Sequence, residues 1–280
     1  MNFKHLKKFM TVAAVLTLGL TTVLAGCGKQ SDNSVKNIQN KKELVVGTSA
    51  DFAPYDFTIV KNGKQQIVGY DMLLAHDIAK EMGVKKVKVV NMAFPSLINE
   101  LQNKKVDVVM AGMAYTKQRA KVVSFSKPYE PHTGNYNYII VSPKNKDKYK
   151  SISDLKGQTL GAQQSTAQEK SAKNQSKAKV VTESSLNTLA QELKNGTIDG
   201  IVCSYDNAKA YTSEDPNSYA IASNVKFKQG GKEAATRVAV RKDDKALLDK
   251  VNSAISKDRK SGKLNQLYQQ ALKLQIENKK

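Results

Sequence analysis

Tryptophan is absent from this chain, which has only two cysteines and three histidines among its 280 residues. Arginine is nearly as scarce, because only Arg119, Arg237, Arg241 and Arg259 share the basic side with a large excess of lysine. Two cysteines cannot build a disulfide scaffold or a thiolate cluster, and three scattered histidines give no metal-ligand spacing. No Gly-x-Ser-x-Gly, His-Glu-x-x-His or phosphate-loop pattern occurs, so the familiar hydrolase, metalloprotease and nucleotide signatures are excluded and no cofactor is implied. The formal charge is +20. Its lysines lie among Asn, Gln and Ser without interleaved aromatics, which argues against nucleic acid and for a solvated basic face. Beyond the first two dozen residues there is no apolar run long enough for a membrane span.

What is present begins with an export signal. Lys4, Lys7 and Lys8 precede an apolar stretch from Phe9 to Leu24, closed by Leu24-Ala25-Gly26-Cys27. That ending resembles the lipobox of bacterial lipoproteins. The resemblance implies cleavage after residue 26 and acylation of Cys27 (diacylglycerol, with palmitate). The protein would then be a lipid-anchored one on the outer face of a Gram-positive-type cell membrane. Cys203 would remain as a lone thiol inside an apolar run, where burial is the ordinary fate. Residues 27–42 are polar and read as a flexible tether.

Order is expected from Glu43. Short apolar strands at Glu43–Gly47, Val87–Val90 and Val106–Met110 alternate with helices, and a hairpin turns at Asn62-Gly63. Asp71 is placed as the cap of the helix bearing Leu74, Ile78 and Met82. The alternation restarts at Thr159–Ala162 and runs through Thr166, Val180–Val181, Ser184–Lys194 and Ile198–Val202. Thr236–Val240 reads as a returning strand, followed by two amphipathic helices. The expectation is an α/β protein of two lobes joined by a two-strand hinge. Residues 43–133 and 235–280 form lobe one, and residues 134–234 form an inserted lobe two. In such sheets ligands bind beyond the carboxyl ends of the strands. Ser49–Tyr55, Met92–Phe94 and Gly112–Arg119 all open on that edge.

Arg119 stands where a strand gives way to a loop in Ala111-Gly112-Met113-Ala114-Tyr115-Thr116-Lys117-Gln118-Arg119. In a lysine-rich chain, a planar fork at that point suits a carboxylate, although an ordinary ion-pair arginine would look the same. Thr166-Ala167-Gln168-Glu169 is a capping box, hence a helix N-terminus that favours anions or is simply a cap.

Taken in order, these segments resemble the solute-binding lipoproteins of polar amino-acid ABC importers, bacterial extracellular solute-binding protein family 3. The segments are Ser49-Ala50-Asp51-Phe52-Ala53-Pro54-Tyr55, Val68-Gly69-Tyr70-Asp71, the Val106–Arg119 stretch, Phe125-Ser126-Lys127-Pro128-Tyr129, Asp154-Leu155-Lys156-Gly157, Leu160–Glu169 and Gly196–Gly200. The resemblance implies a two-lobe type II periplasmic-binding-protein-like fold. It implies a monomer that captures a free amino acid and hands it to an ABC permease with its ATPase. By the same resemblance Arg119 takes the α-carboxylate, assisted by the backbone at Thr166 and Ala167. Phe52 and Phe94 sandwich the side chain, and Gly112 offers its carbonyl to the ammonium. Ser49, Met113 and Gln163 fall among the pocket positions.

Two departures stand out. Ala114 replaces a hydroxyl residue, and the acid expected for the ammonium falls on Ser204, with Asp206 or Asp51 as substitutes. A glutamine-like ligand is favoured. Two other readings stay open: a dehydratase-like enzyme on the same fold, and a basic envelope-binding or adhesion protein.

Overall fold

The computed structural model describes residues 32–130, 134, 136–229 and 235–278. The export signal, Cys27 and His132 lie outside them. The described chain is built on two five-stranded sheets, with a smaller three-stranded one in lobe one. In lobe one the strands are β1 (Glu43–Thr48), β2 (Asp51–Phe52), β3 (Asp56–Lys61), β4 (Lys64–Val68), β5 (Lys86–Asn91), β6 (Val108–Val109) and β7 (Val123–Phe125). In lobe two they are β8 (Tyr136–Val141), β9 (Thr159–Gln163), β10 (Lys179–Glu183), β11 (Gly200–Cys203) and β12 (Ala220–Lys228). β13 (Ala239–Arg241) returns to lobe one.

The sheet orders are β5-β1-β6-β13-β7 and β10-β9-β11-β8-β12. In each five-stranded sheet three adjacent strands run parallel, and the other two are joined on through antiparallel pairs. Outgoing and returning chain lie side by side at the edge of lobe one. Ser126 donates its backbone N–H to Val238 (2.9 Å), and Tyr129 donates to Thr236 (3.1 Å). Glu130 accepts from both the backbone N–H and the hydroxyl of Thr236.

The helices cover the sheets on both faces: α1 (Ser34–Lys41), α2 (Tyr70–Glu81), α3 (Leu97–Gln102), α7 (Lys245–Lys260) and α8 (Lys263–Glu277) in lobe one, with α4 (Ala167–Gln175), α5 (Leu186–Lys194) and α6 (Tyr205–Glu214) in lobe two. The apolar stripe of α2 (Leu74, Ile78, Met82) packs with Leu44, Val46 and Val108 from the sheet and Leu247, Val251 and Leu267 from the C-terminal helices. In lobe two, Leu189 and Leu193 of α5 pack with Ile201 and Cys203 of β11. Cys203 is buried, and burial pushes its thiol well above the usual range. The expected hairpin is present: β3 and β4 pair across Asn62 (φ 52°) and Gly63 (φ 70°), the two left-handed residues of a type I′ turn.

Two expectations require correction. The tether expected to run to Lys42 ends earlier, because Ser34–Lys41 is helical and Ile38 is buried in the lobe-one core. The Asp32 carboxylate anchors its start, accepting from the Ser34 and Ala246 backbone N–H groups. Asp71 does not cap α2, whose cap is Gly69. It lies one position inside the helix, fully buried, with its side chain turned to partners far away in sequence.

Candidate functional site

The loops that follow β1 and β6 in lobe one meet those that follow β9, β10 and β11 in lobe two, and the loop after β5 sets Phe94 against Arg119. Every one of them leaves the carboxyl end of a parallel strand. Arg119 opens a single 3-10 turn, Arg119–Lys121, and its side chain points inward with 9% exposure. One guanidinium nitrogen donates to the Ala114 carbonyl of lobe one and the other to the Ser165 carbonyl of lobe two, both at 2.6 Å. The guanidinium also lies over the Phe94 ring, 5.2 Å from its centroid. Burial pulls the Arg119 pKa down to about 10, so it stays charged at neutral pH. Among the described residues no carboxylate forms a salt bridge with it. A buried cation held by carbonyls and an aromatic face has the chemistry to accept an anion.

The Ser165 carbonyl is fixed by its turn. Ser165 is left-handed (φ 64°), and its backbone N–H donates to Glu169 Oε2 at 2.6 Å. Thr166 caps α4, its Oγ1 accepting from the Glu169 backbone N–H at 3.1 Å, and Ala167 is the first helical residue. The capping pair is therefore as expected, except that Glu169 reaches back to Ser165 rather than to Thr166. The arrangement sets a helix N-terminus beside the guanidinium.

Phe52 is half-buried and packs against apolar clusters of both lobes. Gly112 permits this: it is left-handed (φ +55°), and a Cβ there would stand 2.5 Å from the Phe52 ring. Its backbone N–H donates to Asp71 Oδ2 (2.7 Å), while the Tyr129 hydroxyl donates to Asp71 Oδ1 (2.7 Å). The buried Asp56 carboxyl lies close enough for the charge of Asp71 to bear on it. Burial raises Asp71 to about 6 and Asp56 well above the usual carboxylate range. Each carboxyl thus keeps its proton to a higher pH than a free one. Sequence reasoning missed this pair, and the only local hint was two acids at the ends of a hairpin.

Other expected positions sort differently. Phe94 is 8% exposed and Met113 1%, and both join the lobe-one core; only Phe94 also meets Arg119. Gln163 is not a solvent-exposed glutamine. It is 2% exposed and donates to Asp51 Oδ2 and to the Ser184 carbonyl. Ser49 donates its hydroxyl to Asp51 Oδ1 at 3.0 Å. Ser204 caps α6 through the Asn207 backbone N–H, so its hydroxyl has a structural task. Asp206 lies across the lobe boundary from the Tyr55 hydroxyl, at 3.5 Å, and its charge helps raise the Tyr268 phenol after burial.

Two α/β lobes whose strand-end loops meet around a buried arginine have the architecture of a type II binding protein. The chain matches the model for bacterial extracellular solute-binding proteins, family 3, over residues 44–273, and it belongs to that family. It is 35% identical over 263 residues to the arginine-binding extracellular protein ArtP of Bacillus subtilis (strain 168), covering 92% of this chain and 94% of that protein. It is 32% identical over 230 residues to ABC transporter arginine-binding protein 1 of Escherichia coli (strain K12), covering 82% and 90%. Among solved structures it resembles the amino acid ABC transporter substrate-binding protein AbpA from Streptococcus pneumoniae Canada MDR_19A bound to L-arginine. That likeness has a TM-score of 0.79 at 33% identity and covers 86% of this chain and 99% of that one. The protein is thus an amino-acid ABC transporter substrate-binding protein, and its relatives are transport proteins rather than enzymes.

Proposed function

We propose that Arg119 receives the α-carboxylate of a free polar amino acid, with the N-terminus of α4 adding its backbone N–H groups. The single observation that carries this reading is the buried guanidinium, which bridges the two lobes and lacks an acidic partner among the described residues. Phe52 and Phe94 flank the side chain, and the Gly112 carbonyl accepts from the ammonium. With Ser204 committed to its helix cap and Ala114 lacking a hydroxyl, neutral acceptors hold that ammonium.

A glutamine-like side chain is our first choice. Asp51, the acid nearest in sequence to Phe52, already accepts from Ser49, Gln163 and Leu186. It has therefore spent both oxygens on the protein. A second choice, arginine, rests on the arginine-binding relatives and on the attraction of aromatic faces for cations. The delivery step belongs to a membrane permease and its ATPase, and a lipid on Cys27 would hold the protein at the outer face of the membrane.

Calorimetry with glutamine and arginine tests the assignment. Arg119→Lys weakens binding at least tenfold, roughly 1.4 kcal/mol, because lysine offers one point charge in place of a fork. Unchanged affinity for the amino acid that binds would overturn the reading. Incubating the protein with arogenate or prephenate disposes of the enzyme alternative if neither turns over. Retention on anionic wall polymer that survives Arg119→Lys, with no amino acid bound, would instead favour the adhesion alternative.

A further inference from the structure

Asp51 sits at the start of β2 in lobe one, yet two of its partners belong to lobe two. Its Oδ2 accepts from the Leu186 backbone N–H at 2.8 Å and from the Gln163 side-chain amide at 3.1 Å. Leu186 is the first residue of α5, whose own cap, Ser185, serves the Asn187 N–H and leaves that of Leu186 to another acceptor. The carboxylate of one lobe therefore completes the N-terminal cap of a helix in the other, where the exposed N–H groups and the helix dipole favour negative charge.

The socket is prepared on both sides. Gln163 is 2% exposed and is held by the Ser184 carbonyl at 3.1 Å. On the lobe-one side, the Ser49 hydroxyl (3.0 Å) pins the second oxygen of Asp51. Beside this contact, Leu186 packs with Phe52, and the Asn207 amide donates to the Ala53 carbonyl at 2.9 Å. Arg119, by contrast, has one hydrogen bond to lobe two among the described residues, that to the Ser165 carbonyl at 2.6 Å.

We infer that Asp51 is a latch between the lobes, a positioning residue that holds the closed form and sets how long the ligand stays without touching it. The inference rests on the reading of the cleft as an amino-acid site. A latch acts after the lobes meet, so it governs dissociation; a ligand contact would govern which side chain is preferred.

The test uses Asp51→Ala and Gln163→Ala, with small-angle scattering for lobe closure and stopped-flow binding of glutamine and arginine. Asp51→Ala has a larger radius of gyration than the wild type even without amino acid. It releases the bound amino acid about tenfold faster and associates within about twofold of the wild-type rate. Gln163→Ala, which removes one donor and keeps the helix cap, changes release in the same direction by about threefold. The order of preference between glutamine and arginine stays as in the wild type in both variants. Equal radii, or a reversed order of preference, overturns the latch. If neither amino acid binds the wild type, the amino-acid assignment fails while the radii still decide the latch. If Asp51→Ala does not fold, Gln163→Ala decides by the same two criteria.

Discussion

The two lobes share a sheet plan but not an interior. The fully or nearly buried charged groups, Asp56, Asp71, Asp107, Arg119 and Asp258, all belong to lobe one. The buried polar residues of lobe two, Asn137, Gln163, Ser171 and Asn207, are all neutral. Buried charge is expensive unless its surroundings are fixed, so lobe one holds the rigid electrostatics of capture. Lobe two contributes a carbonyl, helix ends and amides, groups that form hydrogen bonds without carrying net charge. Capture of the zwitterion is thereby weighted to lobe one, and the closed form is held where groups of lobe one, the Asp51 carboxylate among them, seat on neutral donors of lobe two.

The largest expected effect tests that asymmetry directly. Asp71→Ala strands the Gly112 N–H and the Tyr129 hydroxyl, and two buried donors without acceptors cost about 2–5 kcal/mol. The lobe-two counterpart, Asn137→Ala, loses neutral bonds to Ser171 and Gln229 and costs about 1 kcal/mol. Urea unfolding of both variants measures the difference. Equal losses would show that the two interiors are energetically alike.

Next in size is Gly112→Ala, which places a Cβ against the Phe52 ring on left-handed backbone. It displaces an aromatic that bridges the lobes and weakens amino-acid binding about tenfold, ~1.4 kcal/mol. Calorimetry alongside a melting curve separates lost affinity from lost fold. Intact affinity would remove Phe52 from the site.

How much of this was legible in the sequence follows the range of each interaction. The Asn62-Gly63 turn, the Thr166 cap and the strand-to-loop placement of Arg119 were readable, because their chemistry lies within a few residues. Helix α1 was not, since its composition is polar and its supports, the burial of Ile38, the Asp32 bond to Ala246 and the Lys41–Asp107 ion pair, join it to distant residues. Asp71 looked like a cap from its neighbours, whereas its partners Gly112 and Tyr129 lie 41 and 58 residues away. The tie from Asp51 to Gln163 spans 112 residues. Ser204 and Gln163 were assigned to the pocket by resemblance, and the local caps and cross-lobe bonds that occupy them are three-dimensional facts.

A smaller effect concerns pH. The Asp56–Asp71 pair keeps a proton in the folded state above the range where an unfolded carboxyl, at about 3.9, has lost its own. With Asp71 raised to about 6, the native state binds more protons than the unfolded state between about pH 4 and 6. The pair's contribution is therefore fully present below pH 4 and declines as pH rises through that window. Asp56→Asn removes the Asp56 share of this decline and leaves that of Asp71, which comes first from its own burial. The stability of wild type minus that of Asp56→Asn should fall by an amount of order 1 kcal/mol from pH 4 to 6. A difference curve that is flat or rises would show that Asp56 does not keep its proton above the usual carboxylate range.

The smallest effect returns to the neutral side of the comparison. Asn207 is fully buried, and its amide donates to the Ala53 carbonyl of lobe one while its oxygen accepts from the Ser204 hydroxyl. Asn207→Ala removes one uncharged bond between the lobes and leaves the Ser204 cap on the backbone N–H in place. A single neutral hydrogen bond of this kind is worth about 1 kcal/mol or less. Release of the amino acid should quicken about threefold, with association and ligand preference unchanged. Slower association with unaltered release would instead place Asn207 on the capture side, and the division of labour between the lobes would fail at its weakest contact.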